Sequence, residues 1–229
     1  MATSVLLVHS PLVGPGMGTR AADLLREHGH EVALPDLTFV ASAPSPMWRA
    51  FVTGASAAGT QLSGAVAVVG HSGAGAFLPA VGERLSDRRV SLLFVDAVIP
   101  PASGAHETSE RLRALLDAQT VGGELRRWLH WWPDEVAAEL LPDEEERAEL
   151  LSEMPVLPRS FHDESVPVPA DWTDLDCAYL QLSQAYDAEY EEAGRRGWPR
   201  FRVDANHLAI RTQPDIVVSA IESLLDLRS

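Results

Sequence analysis

Residues 65–76 read Ala65-Val66-Ala67-Val68-Val69-Gly70-His71-Ser72-Gly73-Ala74-Gly75-Ala76. An unbroken apolar run followed by small residues is typical of a buried strand that turns sharply into a helix. Ser72 stands at that turn, where a strained backbone conformation lifts the hydroxyl above the sheet. Gly70 and Ala74 are small, as the turn requires, because larger side chains at these positions would collide across it. The segment therefore predicts Ser72 as a nucleophile at the edge of a sheet.

Five other short apolar runs and four helical patterns alternate with this segment along the chain. The runs cover residues 5–8, 31–34, 90–95, 178–182 and 201–203, and the helical patterns cover residues 19–28, 74–85, 187–196 and 215–227. Nearly continuous apolar strands suit parallel pairing with both faces covered. Strands that alternate with helices indicate βαβ units. The sequence predicts an α/β fold with a doubly wound, mostly parallel sheet.

Residues 104–172 interrupt this alternation and show no convincing strand. They contain helical patterns over residues 107–119, 125–132 and 134–154, with Gly122-Gly123 between the first two. We interpret residues 1–229 as a single α/β domain and residues 104–172 as a helical insertion between two late strands. Such an insertion is expected to lie over the strand ends as a cap.

Composition excludes several classes of function. The formal net charge is −15, and all 18 basic residues are arginine. This acidity argues against nucleic acid and anionic membranes as partners. The absence of lysine excludes Schiff-base chemistry by a lysine. The single cysteine, Cys177, excludes a disulfide within the chain, and no cluster of ligands implies a metal or organic cofactor.

The sequence says less about the cellular location and the oligomeric state of the protein. No apolar run reaches the roughly 18–20 residues of a membrane span. The N-terminus carries no basic segment with a small-residue cleavage site, so we expect a cytoplasmic protein. A small-molecule substrate is the expected partner. The oligomeric state stays open between a monomer and a homodimer.

The turn at Ser72 resembles the nucleophile elbow of the α/β-hydrolase superfamily. The family pattern is G-x-S-x-G, and here Ala74 takes the place of the last glycine. The resemblance covers nearly the whole chain, including the first strand with His9-Ser10, the cap and a late histidine. It implies a chain order of nucleophile, acid and then a histidine near the C-terminus.

The base implied by this order is His207. It follows the strand pattern 201–203 and precedes the closing helix, where the family carries its catalytic histidine. Imidazole can take the proton of a serine hydroxyl near neutral pH, which makes the hydroxyl nucleophilic.

Two aspartates compete for the role of the acid. The family usually places it after the strand before the last one, where this chain reads Ser183-Gln184-Ala185-Tyr186-Asp187. Asp187 is therefore the leading choice, although a carboxylate at a helix start would also explain it. Asp96, which ends the run 90–95, is the alternative, because some family members keep their acid there.

The donors for a developing oxyanion depart from the family pattern. The resemblance implies the N–H of Gly73 as one donor, and we expect His71, in the same turn, to belong to the oxyanion- or substrate-binding residues. The second falls on Pro11, which has no N–H. Either Leu12 supplies it through a shifted loop or the Ser10 hydroxyl compensates. His9-Ser10 also looks like the His-Thr of plant hydroxynitrile lyases, but their lysine beside the catalytic histidine is Leu208 here.

The cap carries an aromatic cluster formed by Trp128, Trp131 and Trp132. These rings either line an apolar pocket or attach the cap to the sheet domain. The combined prediction is a serine hydrolase that cleaves a small, apolar ester or thioester through an acyl-enzyme on Ser72. The alternatives are a lyase, isomerase or cyclase on the same scaffold, and a non-catalytic ligand-binding protein.

Overall fold

The computed structural model describes residues 4–227. Within this range the strands are β1 (Ser4–Val8), β2 (Val32–Ala33), β3 (Val66–His71), β4 (Val90–Val95), β5 (Ala105–His106), β6 (Thr120–Val121), β7 (Glu124–Leu125), β8 (Val166–Pro167), β9 (Asp176–Gln181) and β10 (Arg200–Arg202). The α-helices are α1 (Thr19–Glu27), α2 (Met47–Gly59), α3 (Leu78–Arg84), α4 (Glu110–Ala118), α5 (Asp134–Leu140), α6 (Glu144–Glu153), α7 (Asp187–Arg195), α8 (Ala209–Thr212) and α9 (Pro214–Asp226).

Six strands form the central sheet in the order β10-β9-β4-β3-β1-β2, and every neighbouring pair is parallel. The register places Val8 opposite Gly70, His71 opposite Val95, and Val95 opposite Leu180. The carboxyl ends of β1, β3, β4 and β9 therefore lie along one edge of the sheet. Ligand sites of open α/β sheets lie at this edge.

Alternate residues of the strands enter two separate cores, because strand side chains point to opposite faces with a period of two. Leu6, Val68 and Phe94 pack on one face with residues of α2, α3 and α7. Leu7 and Val69 pack on the other face with residues of α1 and α9. Helices thus cover both faces, which confirms the predicted doubly wound α/β sheet.

The segment between β4 and β9 holds α4, α5 and α6. It also contains two antiparallel pairs of two-residue strands, β5 with β8 and β6 with β7, where the sequence indicated no strand. Pairs this short carry no hydrophobic alternation that a pattern could reveal. The long acidic helix expected over 134–154 is divided into α5 and α6, and Asp143 caps α6 by accepting the Glu146 N–H at 3.0 Å.

The six predicted strands of the central sheet are present, and their ends agree within two residues. Helix α2 was not predicted. The expected helix 74–85 begins as a 3-10 helix, Ser72–Phe77, and continues as α3. No α-helix among residues 4–227 combines the length and apolar character needed to cross a membrane.

Candidate active site

Ser72 follows β3 directly and has the backbone conformation that the sequence predicts for it, with φ of 60°. Few non-glycine residues adopt positive φ. The neighbours that permit the turn are small. A Cβ on Gly70 would lie 2.6 Å from Leu78 Cδ2, and one on Gly75 would collide with the Val98 carbonyl oxygen. Ala74 is fully buried in the core, so alanine serves where the family pattern has glycine.

Ser72, His207 and Asp96 form a continuous hydrogen-bonded chain. The Ser72 Oγ atom lies 3.1 Å from His207 Nε2. The other ring nitrogen, His207 Nδ1, lies 2.7 Å from Asp96 Oδ2. A carboxylate at this place fixes the ring tautomer, leaving Nε2 free to accept the serine proton. The arrangement can generate an alkoxide-like nucleophile and stabilise the imidazolium that results.

Asp96 is a fully buried carboxylate that the structure holds by several donors. Its Oδ1 accepts the N–H groups of Leu182 at 2.9 Å and Ser183 at 3.0 Å, and its Oδ2 accepts the Ser183 hydroxyl at 2.6 Å. Burial opposes ionisation, but the hydrogen bond from His207 and these donors outweigh it and lower the pKa of Asp96. The carboxylate is therefore ionised where it contacts His207.

The expectation that Asp187 contacts His207 is wrong, and the alternative, Asp96, occupies that place. Asp187 is the first residue of α7 and is exposed. Its Oδ1 accepts Gln181 Nε2 at 2.6 Å and lies 3.5 Å from a guanidinium nitrogen of Arg202. Its position is that of a helix-start carboxylate. The loop after β9 does not supply the acid. It supplies the backbone N–H groups and the hydroxyl that donate hydrogen bonds to Asp96.

His71 does not line the cavity that opens above Ser72, in contrast to the sequence expectation. It is buried, its Nε2 donates to the His207 carbonyl oxygen at 2.9 Å, and its ring stacks on His207 with centroids 4.5 Å apart. Burial and the nearby His207 lower the pKa of His71 to about 3. His71 is therefore neutral, and it positions the loop that carries His207.

The loop after β1 brings Ser10 next to Gly73. A Cβ built on Gly73 would lie 3.1 Å from Ser10 Oγ. The Leu12 N–H, the expected alternative donor, points at Ser10 Oγ over a long 3.4 Å. Pro11 has no N–H to offer. Ser10, Leu12 and Gly73 all line the cavity beside Ser72, which leaves the Ser10 hydroxyl and the Gly73 N–H as the candidate donors on this side.

A cavity of about 900 Å³ opens above Ser72, within the range of small-molecule sites. Its wall from the insertion includes Trp128, Trp131 and Trp132, so the aromatic cluster lines a pocket. Trp128 also contacts the His207 ring, with centroids 6.0 Å apart, and Trp131 Nε1 donates to the Arg126 carbonyl oxygen at 2.7 Å. The structure supports both interpretations of this cluster, because the rings line the pocket and Trp131 and Trp128 also pack against the two cores.

Tyr186 is a residue of this site that sequence reasoning did not select. Its hydroxyl lies 3.2 Å from Ser72 Oγ, and its ring stacks on His207 at 5.3 Å with an interplanar angle of 15°. Burial raises the pKa of the Tyr186 phenol well above its usual value. The signal that the sequence offers for Tyr186 is its position, since Tyr186 lies in the stretch after β9 in which the α/β-hydrolase family usually carries its acid.

We next consider whether the described residues could hold a metal ion. Among residues 4–227, no group of three or more His, Cys, Asp and Glu side chains is arranged to hold a metal ion. The chemistry that the site can perform with its own side chains is proton transfer and nucleophilic attack by Ser72.

No model of a protein family matches the sequence, and no curated protein matches it. Solved structures resemble the chain over nearly its whole length. An extracellular α/β-hydrolase from a Paenibacillus species, described as sharing homology with tobacco salicylic acid binding protein 2, has a TM-score of 0.73 at 16% identity, with 97% of this chain and 98% of that chain covered.

Two further solved structures with a similar fold have different named activities. A pyrethroid hydrolase from Sphingobium faniae has a TM-score of 0.70 at 18% identity, with 99% of this chain and 98% of that chain covered. Tomato methylketone synthase I, solved with 2-tridecanone, has a TM-score of 0.73 at 12% identity, with both chains covered completely. At such identities the likeness concerns the fold, which hosts many chemistries. The chain therefore has the α/β-hydrolase fold, as the motif around Ser72 predicts.

Proposed function

We propose that the protein is a serine hydrolase that cleaves a small, mostly apolar ester or thioester through an acyl-enzyme on Ser72. The observation that carries this proposal is the chain of hydrogen bonds from Ser72 Oγ through His207 to Asp96. Because nucleophile, base and orienting carboxylate are all in contact, the serine hydroxyl can be deprotonated as it attacks.

In this mechanism Ser72 Oγ bonds to the acyl carbon and its proton passes to His207 Nε2. The bond from the acyl carbon to the leaving oxygen or sulfur then breaks, and the leaving atom takes that proton. Water repeats the sequence in the second half-reaction and releases the acid. The Gly73 N–H and the Ser10 hydroxyl are the candidate donors to the oxyanion, with Ser10 replacing the N–H that Pro11 lacks.

The substrate class follows from the cavity walls. Indole rings and the side chains of Leu112 and Leu140 line the space beside Ser72. Such walls favour an apolar acyl or alcohol group of moderate size.

Labelling with a small fluorophosphonate tests this function. We expect one adduct by mass spectrometry, located on Ser72 and absent in Ser72→Ala. Wild-type protein should also hydrolyse p-nitrophenyl hexanoate, and the Ser72→Ala variant should not. Equal labelling or equal hydrolysis by the two proteins would contradict the proposal.

A second candidate function is a lyase, isomerase or cyclase reaction on the same scaffold. The observation that favours it is Pro11 at the usual donor position, since losing one oxyanion donor costs acyl transfer about 10²–10³ in rate. Rapid hydrolysis of varied activated esters would exclude this candidate. Absence of any Ser72 adduct would favour it.

A further inference from the structure

We infer that Tyr186 is a further catalytic residue, whose hydroxyl donates a hydrogen bond to the oxygen that leaves the acyl carbon and to the water that later replaces it. This inference rests on the proposed acyl transfer at Ser72. It adds a further side chain to Ser72, His207, Asp96 and Ser10, supplied by the 3-10 helix Gln184–Tyr186 between β9 and α7.

The hydrogen-bond directions at Ser72 make Tyr186 a donor. Asp96 is an ionised acceptor, so the proton of a neutral His207 ring resides on Nδ1, 2.7 Å from Asp96 Oδ2. The Nε2 atom is then an acceptor, and the single hydroxyl proton of Ser72 points to it over 3.1 Å. Ser72 Oγ has no second proton to give. The 3.2 Å contact with Tyr186 must be donated by the phenol.

The position of the phenol matches the path of the leaving group. Tyr186 and His207 lie almost parallel, and both the phenol oxygen and Nε2 are about 3 Å from the same atom, Ser72 Oγ. A leaving oxygen must come within hydrogen-bond distance of Nε2 to receive its proton. That brings it to the side of Ser72 on which the Tyr186 hydroxyl lies.

The protonation state of Tyr186 suits donation rather than proton transfer. Burial raises the pKa of the phenol, and the hydrogen bond with Ser72 offsets only part of this rise. The phenol therefore keeps its proton throughout the cycle. Ser72 still loses its proton to His207, and the leaving oxygen still takes that proton together with the electron pair of the broken bond. Tyr186 only stabilises the charge that develops on this oxygen.

The test compares leaving groups in the Tyr186→Phe variant. Phenylalanine keeps the ring that stacks on His207 and removes only the hydroxyl. Ethyl hexanoate has a poor leaving group that depends on stabilisation, whereas p-nitrophenyl hexanoate has a good one. We expect kcat/KM to fall about 10- to 100-fold more for the ethyl ester than for the p-nitrophenyl ester, the range for one charge-assisted hydrogen bond.

Tyr190→Phe is the matched control, because Tyr190 lies on α7 and does not line the cavity. It should leave the ratio of the two ester rates at the wild-type value. A merely structural role of Tyr186 would lower both rates equally, or neither, and would overturn the inference. Urea unfolding of the three proteins checks that each is folded.

Failure of the proposed function gives a different pattern. If Ser72→Ala hydrolyses both esters as fast as wild-type protein, or if wild-type protein neither labels nor hydrolyses, acyl transfer at Ser72 is wrong and the role of Tyr186 falls with it. If Ser72→Ala is inactive but Tyr186→Phe keeps the wild-type ratio, only the inference about Tyr186 is wrong.

Discussion

Asp96 has a positive backbone φ of 43°, a conformation that residues other than glycine rarely adopt. Its N–H donates to the Leu180 carbonyl oxygen at 2.7 Å. The next residue is fixed as well, since Tyr179 Oη accepts the Ala97 N–H at 3.0 Å and donates to the Ala97 carbonyl oxygen at 2.9 Å. The strain at Asp96 is therefore maintained by its neighbours and holds the carboxylate against His207. Strained residues held in this way concentrate at functional sites.

Exchanging each competing aspartate for asparagine separates their roles. We expect Asp96→Asn to lower kcat/KM for p-nitrophenyl hexanoate by about 10³–10⁴, because an amide there no longer fixes the ring tautomer. Asp187→Asn should cost far less, since Asp187 contacts Gln181 and Arg202 instead of His207. Steady-state kinetics on both variants provide the measurement. A larger loss in Asp187→Asn would show that the acid is assigned to the wrong residue.

At the scale of elements, one arginine joins α8, α6 and the loop after β1. Arg211 on α8 is 4% exposed. Its two terminal nitrogens reach the Gly16 carbonyl oxygen at 2.6 Å and a carboxylate oxygen of Glu149 on α6 at 2.7 Å. The Gly16 N–H in turn donates to Glu153 on α6 at 2.8 Å. Helix α6 is thereby fastened to the loop after β1 and to the segment that follows His207.

Replacing Arg211 tests this connection. We expect Arg211→Met to lower the free energy of unfolding by about 2 kcal/mol or more, because it leaves the buried Gly16 carbonyl without its donor. Lysine should rescue only in part, since it cannot reach two acceptors with a planar fork. Urea unfolding followed by circular dichroism measures the effect.

The matched control for Arg211 is Arg20→Ala. Arg20 on α1 also pairs with a residue of α6, Glu146, but the Arg20 side chain is about half exposed. Losing this ion pair should therefore lower the free energy of unfolding by at most about 1 kcal/mol. Equal losses in the two variants would mean that the Arg211 contacts add nothing beyond an ordinary surface ion pair.

At the scale of the whole molecule, buried histidines make stability depend on pH. Burial lowers the pKa of His9, of His71 to about 3, and of His162 to about 4. In the unfolded chain these groups titrate near 6.5. Below that pH the unfolded chain binds more protons than the folded protein, so acid favours unfolding. Above it, both states are neutral at these residues and they contribute no pH dependence.

We therefore expect the free energy of unfolding to decrease as pH falls from about 6.5 to about 4.5, before most carboxylates titrate. Each histidine contributes a slope of up to about 1.4 kcal/mol per pH unit. Urea unfolding at several pH values measures the slope. In the His162→Gln variant this slope should be smaller by the contribution of one histidine, even if the variant is less stable overall. An unchanged slope would show that His162 is protonated in the folded protein.

The sequence by itself determined the fold, the turn at Ser72 and the place of His207 after the last strand. These features are local, because apolar runs, small residues at a turn and the order of strands and helices can be read along the chain. The turn at Ser72 can be predicted from the small residues Gly70 and Ala74 on either side of it. The indole rings of the insertion were also visible, although the sequence left open which way they face.

Only the tertiary structure decided which groups complete the site. Asp96 and Asp187 both follow strands that end at the same edge of the sheet, so sequence position could not separate them. Asp96 contacts His207 because β4 lies between β3 and β9 and the loop after β9 surrounds its carboxylate with donors. Tyr186 reaches Ser72 and His71 reaches His207 over more than 100 residues. Such contacts depend on how the sheet edge is assembled, and no local pattern records them.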